Sequence, residues 1–195
     1  MVVTNFITQK YSRQGLWSLF LMCAFPLHLW TLIMVFRDVS WLTERTNVWD
    51  AIGVVSYAMI FALTESVIVF LVVALLGLFT PNQWDSDRRI AFLSLLVLIT
   101  SLWAMIAQLL FIWNVSLPNA AIQFLLNSGH PVRIMYAVSL VVVTPAVIVP
   151  VHLFLRSERS VAFMQNLIER FSLLTMFYLV FDLLGLVNVV LRNIN

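Results

Sequence analysis

The stretch that decides the fold is Ala51–Phe79, AIGVVSYAMIFALTESVIVFLVVALLGLF, a hydrophobic run broken near its centre by Glu65. At 1.5 Å per residue a helix of this length measures about 43 Å, more than the roughly 30 Å hydrocarbon core of a bilayer. It therefore crosses the membrane with tilt or extends beyond the hydrocarbon. Ala58, Ala62 and Ser66 recur every fourth residue, a small-residue stripe on which another helix can pack closely. Glu65 borders that stripe, which turns it toward protein.

Four further runs of similar character flank this one. With 62% hydrophobic and only 10% charged residues, the chain lies far below the roughly 25% charge of soluble domains. The spans are placed at about 15–36, 51–79, 90–113, 132–155 and 171–191 of one membrane domain, residues 1–195. The fold expected is all-α: a polytopic integral membrane bundle of five transmembrane helices plus one or two short interfacial helices. Spans and short connections use nearly the whole length, which leaves no room for a soluble catalytic domain. Lys10 and Arg13 precede the first run as in a signal peptide. That run is too long for a signal sequence, and no small-residue cleavage site follows, so it reads as a retained span.

The connections carry their own signals. Pro26 cannot donate to the carbonyl of Met22, so a local kink is expected in span one. Arg37–Asp50 mixes both charge signs with Trp41 and Trp49, the pattern of a solvated loop at a headgroup belt. One of Asp85, Ser86 or Asp87 is placed to cap the third span. Pro118 and Asn119 start a short interfacial helix with Ile122, Leu125 and Leu126 on one face, stopped near Asn127-Ser128-Gly129. Arg156–Arg170 sets Val161, Met164, Leu167 and Ile168 on one face between arginines, as in an amphipathic helix lying on anionic headgroups.

Basic residues orient the chain. With the N-terminus inside, Lys10, Arg13, Arg88, Arg89, Arg156, Arg159 and Arg170 fall on the inner side, and Arg37, Arg45, Arg133 and Arg192 on the outer. The excess favours a cytoplasmic N-terminus and an extracytoplasmic C-terminus. Beside span ends, Arg88, Arg89, Arg156, Arg159 and Arg170 are the candidates for lipid-headgroup contact, and the net charge of +2 points to no nucleic acid.

Three ionisable residues fall near mid-membrane: His28, Glu65 and Asp182. An intramembrane charge costs about 2.5–3.5 kcal/mol on insertion scales, so such groups normally face partners. They are expected to form one polar cluster where spans one, two and five meet, with His28 bridging or neighbouring the two carboxyl groups. The cluster reads either as a proton relay, cation site or polar pocket, or as hydrogen-bonded groups that join helices. His28 alone is the cofactor-binding candidate, since an imidazole in an apolar site can hold haem or chlorophyll. A two-histidine haem needs a second histidine at the same depth, and neither His130 nor His152 matches. Which cofactor, if any, stays open. Cys23 is the single cysteine and reads as a small buried hydrophobe, so no disulfide or cysteine metal site arises within the chain. No Walker loop, HExxH helix, GxSxG elbow or paired-cysteine pattern occurs, so no residue is nominated as catalytic or metal-binding.

The layout resembles the five-span membrane domain of the lipoteichoic acid synthase and PbgA-type proteins of the bacterial envelope. The resemblance is carried by the span order, by the Arg88-Arg89 turn, and by Leu117-Pro118-Asn119 through Gln123-Phe124-Leu125-Leu126-Asn127. In that family the last span leads to an extracytoplasmic alkaline-phosphatase-like domain with the metal ligands and nucleophile. That domain has no counterpart in these residues, so none of its chemistry carries over. What the resemblance implies is a lipid-contacting membrane module acting through a partner. The function expected is thus a non-catalytic integral membrane subunit or lipid-contacting module of a larger complex, with membrane lipids and protein as partners. The alternatives are a small proton- or cation-coupled transporter using Glu65 and Asp182, and a pigment- or haem-associated subunit using His28.

Overall fold

The computed structural model describes residues 10–194, and all regular structure among them is helical. The elements are α1 (Arg13–Arg45), α2 (Val48–Leu76) with a 3-10 turn (Gly77–Phe79), α3 (Ser86–Ile112), α4 (Asn119–Asn127), α5 (Pro131–Arg156) and α6 (Glu158–Ile194). Five of them, all but α4, are long and apolar enough to cross a membrane, so the chain is a multi-pass membrane protein.

Local chemistry sets the helix ends. The Asp85 side chain accepts from the backbone N–H of Arg88 at 3.1 Å, capping α3 as its position before the apolar run suggests. Asn47 does the same for α2, accepting from Asp50 N at 2.9 Å. α4 stops where Gly129 takes φ +69°, and Pro131 opens α5 in the first turn, where its missing N–H costs no bond.

Two expectations about connections are corrected. Arg37–Asp50 is not a loop, because α1 runs on to Arg45 and leaves only Thr46 and Asn47 between it and α2. No Gly or Pro lies between Arg37 and Arg45, so nothing stops the helix where the hydrocarbon ends. Nor is Arg156–Arg170 a separate surface helix. Arg156 ends α5, and Glu158 to Arg170 form the first turns of the continuous α6, with Val161, Met164 and Ile168 buried in the core rather than laid on headgroups.

α1 is the centre of the bundle, packed on α2, α3 and α6, whereas α5 lies outside and touches α3, α4 and α6. At the Arg13 end the core joins Leu19, Met22 and Cys23 of α1 to Ala91, Leu93 and Val97 of α3, with Phe154 of α5 and the three apolar residues of α6. Nearer the Arg45 end, α2 and α6 run antiparallel with small residues between them. The buried face of α2 is Gly53, Ser56, Met59, Ala62 and Ser66, so the stripe includes Ala62 and Ser66 while Ala58 is only half-buried. Gly185 of α6 lies so close to Ser56 that an added Cβ would stand 3.3 Å from the Ser56 carbonyl oxygen. One turn on, Asn188 donates to Ser56 Oγ at 2.9 Å. Gly185→Val, with two methyl groups in that gap, should cost about 1–3 kcal/mol by overpacking. An SDS-titration midpoint like that of the wild type would show that the helices can part there without loss.

Candidate functional site

Because α1 and α6 run in the same direction, residues of matching depth meet along their contact. His28 of α1 and Asp182 of α6 are both buried, at 0% and 2% exposure, with His28 Nε2 2.8 Å from Asp182 Oδ2. His28 Nδ1 lies 2.8 Å from the Ala24 carbonyl oxygen. A carbonyl can only accept, so Nδ1 must be the protonated nitrogen in that bond. The next proton then lies between Nε2 and Oδ2. The pair is a neutral imidazole accepting from a carboxylic acid, or an imidazolium donating to a carboxylate. Its net charge is zero either way, which lets the two groups reside together in an apolar bundle.

Aromatic rings continue the contact. The His28 ring lies nearly parallel to Tyr178 at 6.1 Å between centroids, and Phe25 stacks on Phe171 at 4.3 Å. Asp182 Oδ1 is buried with no hydrogen-bond partner, so one lone-pair face of the carboxyl is open to a further donor.

Sequence depth brings His28 and Asp182 together as expected, but Glu65 does not join them. Glu65 is exposed on the outer surface of α2 and makes no hydrogen bond or ion pair with the described residues. Ser66 faces inward, and one residue of helix turns the side chain by about 100°. A place beside the small-residue stripe therefore points Glu65 away from α6, and the three-member cluster reduces to a pair. His28, the candidate haem or chlorophyll ligand, has both ring nitrogens within hydrogen-bond distance of protein oxygens and a fully enclosed ring. Among the described residues no group of three His, Cys, Asp or Glu side chains is arranged to hold a metal ion.

The five arginines divide. Arg156, Arg159 and Arg170 are exposed at the Arg13 end and free to meet headgroups. Arg88 is half-buried, donating to Glu158 Oε1 at 3.1 Å and to the Leu155 carbonyl at 3.2 Å, where it ties α3 to the α5–α6 junction. Arg89 is a correction: at 2% exposure it is turned inward and meets no lipid. Its guanidinium donates to Thr80 Oγ1 at 2.7 Å, to the Trp84 carbonyl at 3.0 Å, to the Pro81 carbonyl at 3.3 Å and to the Lys10 carbonyl. Lys10 Nζ donates in turn to the carbonyls of Leu78 and Thr80, and Tyr11 donates to the Ala74 carbonyl at 2.8 Å. Burial pushes the Tyr11 phenol pKa above its usual range, against the downward pull of the Arg89 guanidinium.

This knot ties the segment before α1 to the end of α2 and the start of α3. Tyr11 and Thr80 were not singled out from sequence; the only signal was two adjacent arginines after a Pro-containing turn. Comparison of the chain with protein-family models, with curated proteins and with solved structures finds no match to any of them.

Proposed function

We propose that this chain is a non-catalytic integral membrane subunit that works in a larger membrane assembly, with α5 as its contact helix and lipid around the rest. The observation that carries this reading is the packing of α5. Only Phe154, at its Arg156 end, is buried, and only 6% of its most apolar window lies inside the bundle. The other long helices reach 17–39% by the same measure. Phe154 against Phe92, with Arg88 on the Leu155 carbonyl, holds α5 at that one end. Pro145 and Pro150 each remove a backbone donor from the free part, leaving carbonyls for a neighbour to satisfy.

Exposed Arg156, Arg159 and Arg170 at the same end suit anionic headgroups, and the arginine bias supports placing that end, with the N-terminus, in the cytoplasm. The carrier reading through Glu65 and Asp182 loses support because Glu65 is exposed on α2 whereas Asp182 is buried against His28 of α1.

Native mass spectrometry of gently solubilised chain provides the test. A stoichiometric second polypeptide is expected with the wild type. Val141→Trp, at a position 72% exposed on α5, should remove it without moving the chain's own unfolding midpoint. A chain that runs alone, carrying lipid only, sinks the reading.

A further inference from the structure

We propose that the open groove between α2 and α3 is a binding site for lipophilic organic cations, molecules that carry an amine or onium charge on an apolar body. Glu65 supplies the counter-charge and Trp30 the aromatic floor. The site is independent of α5.

The groove follows from how the helices splay. α2 and α3 meet at the Arg13 end, where Gly77 sits against Leu93 and Tyr11. Beyond that point they scarcely touch, and α1 packs on both and floors the gap. Glu65 forms one wall; Ser101, Met105 and Gln108 form the other; Leu27 and Trp30 lie between, around a cleft of about 390 Å³. A second cleft of about 420 Å³ also includes Trp30 and Glu65 and continues between α1 and α2 to Asp38 and Trp41. Volumes of this size suit a small organic ligand.

Many polar groups in the spans bond within their own helix, although Ser94 Oγ and Ser172 Oγ are buried with no partner among the described residues. Ser56, Thr64, Ser66, Thr100 and Thr175 each donate to a carbonyl one turn back in their own helix. Among the described residues, Glu65, Ser101 and Gln108 have no side-chain hydrogen bond or ion pair. A carboxyl, a hydroxyl and an amide thus face one apolar-walled gap with nothing to bind. The carboxyl selects positive charge, the Trp30 indole that lines the cleft supplies an aromatic system for a cation, and Leu27 and Met105 favour an apolar body over a hydrated ion. Asp38, exposed near the other end of the connected cleft and paired with Arg37 at 2.8 Å, places a second acid on the path inward from the surface.

The test is equilibrium binding of radiolabelled tetraphenylphosphonium to the full chain in lipid nanodiscs. Saturable binding at one site is expected, weakened at least tenfold by Glu65→Gln and severalfold by Trp30→Ala, and unchanged by Asp87→Asn. Glu65 is exposed and unbonded, so its amide replacement leaves the fold in place, which a wild-type unfolding midpoint checks. Absence of saturable binding to the wild type, or equal affinity in Glu65→Gln, overturns the proposal. A photo-crosslinker at Ser101 that captures a second polypeptide in stoichiometric yield also overturns it, because a helix then fills the groove. Val141→Trp should leave the binding intact, so failure here and failure of the subunit reading are seen separately.

Discussion

Arg89→Ala is expected to lower the stability of the folded chain by about 3–5 kcal/mol, because four oxygens lose a charged donor while the cost of burying the guanidinium is relieved. The guanidinium bonds four oxygens: the Thr80 hydroxyl and the carbonyls of Lys10, Pro81 and Trp84. Each bond to a charged donor is worth about 1.5–3 kcal/mol, and a buried acceptor left alone bears its own desolvation cost. The favourable side of the substitution is that no guanidinium need be buried, which keeps the net loss below the sum of the bonds. The Cβ that remains cannot reach the surrounding oxygens, and the space vacated lies beside the Tyr11 ring, 5.8 Å from the guanidinium carbon. Arg89→Lys should recover little, because an ammonium has three donors around one point and cannot span acceptors set apart in a fork. Steric-trap or SDS-titration unfolding measures the loss, and faster proteolysis near Lys10 would locate it. A midpoint within about 0.5 kcal/mol of wild type, the size of an ordinary surface change, would mean that the knot contributes nothing.

The second large effect is at the buried His28–Asp182 pair. Asp182→Ala leaves His28 in a fully enclosed site with Nε2 unpaired. Two magnitudes compete. Interhelical hydrogen bonds measured in a membrane reach at most about 1.7 kcal/mol, because the unfolded helices find other partners in lipid. A broken buried ion pair costs about 3–5 kcal/mol. Complete enclosure argues for the higher side, and the freedom of a neutral imidazole to stay uncharged argues for the lower. The expected loss is therefore about 2–4 kcal/mol. The decisive comparison is the double replacement His28→Leu with Asp182→Val, which removes both polar groups and should return to within about 1 kcal/mol of wild type. If the double variant is as unstable as Asp182→Ala, the pair itself is not what the single substitution breaks.

How much of this was legible beforehand depends on which coordinate is asked for. Depth along the membrane normal follows from counting residues in each apolar run, and it placed His28 level with Asp182 in parallel helices. Azimuth does not follow from counting. Glu65 has the same depth, but which face of α2 turns inward is decided by Gly185 and Ser56, residues far apart in the chain. Arg88 and Arg89 show the same limit: adjacent and alike in sequence, they differ by about 100° around α3, and only Arg89 is enclosed. Helix ends escaped for another reason. Hydropathy marks where the hydrocarbon stops, whereas a helix stops at a breaker, and no Gly or Pro stands between Arg37 and Arg45 or between Glu158 and Phe171.

The unbroken length of α6 has a mechanical consequence. At 1.5 Å per residue the helix from Glu158 to Ile194 measures about 55 Å, so roughly 25 Å of it stands clear of a 30 Å hydrocarbon layer. Val161 and Asp182 then lie about 32 Å apart on one stiff rod. Its Glu158 end is clasped by Arg88 and its buried acid is clasped by His28. A twist applied to the projecting turns cannot dissipate in a hinge, because none is present between the two clasps. It arrives at the carboxyl group as a rotation about the helix axis, against a partner fixed on the central helix.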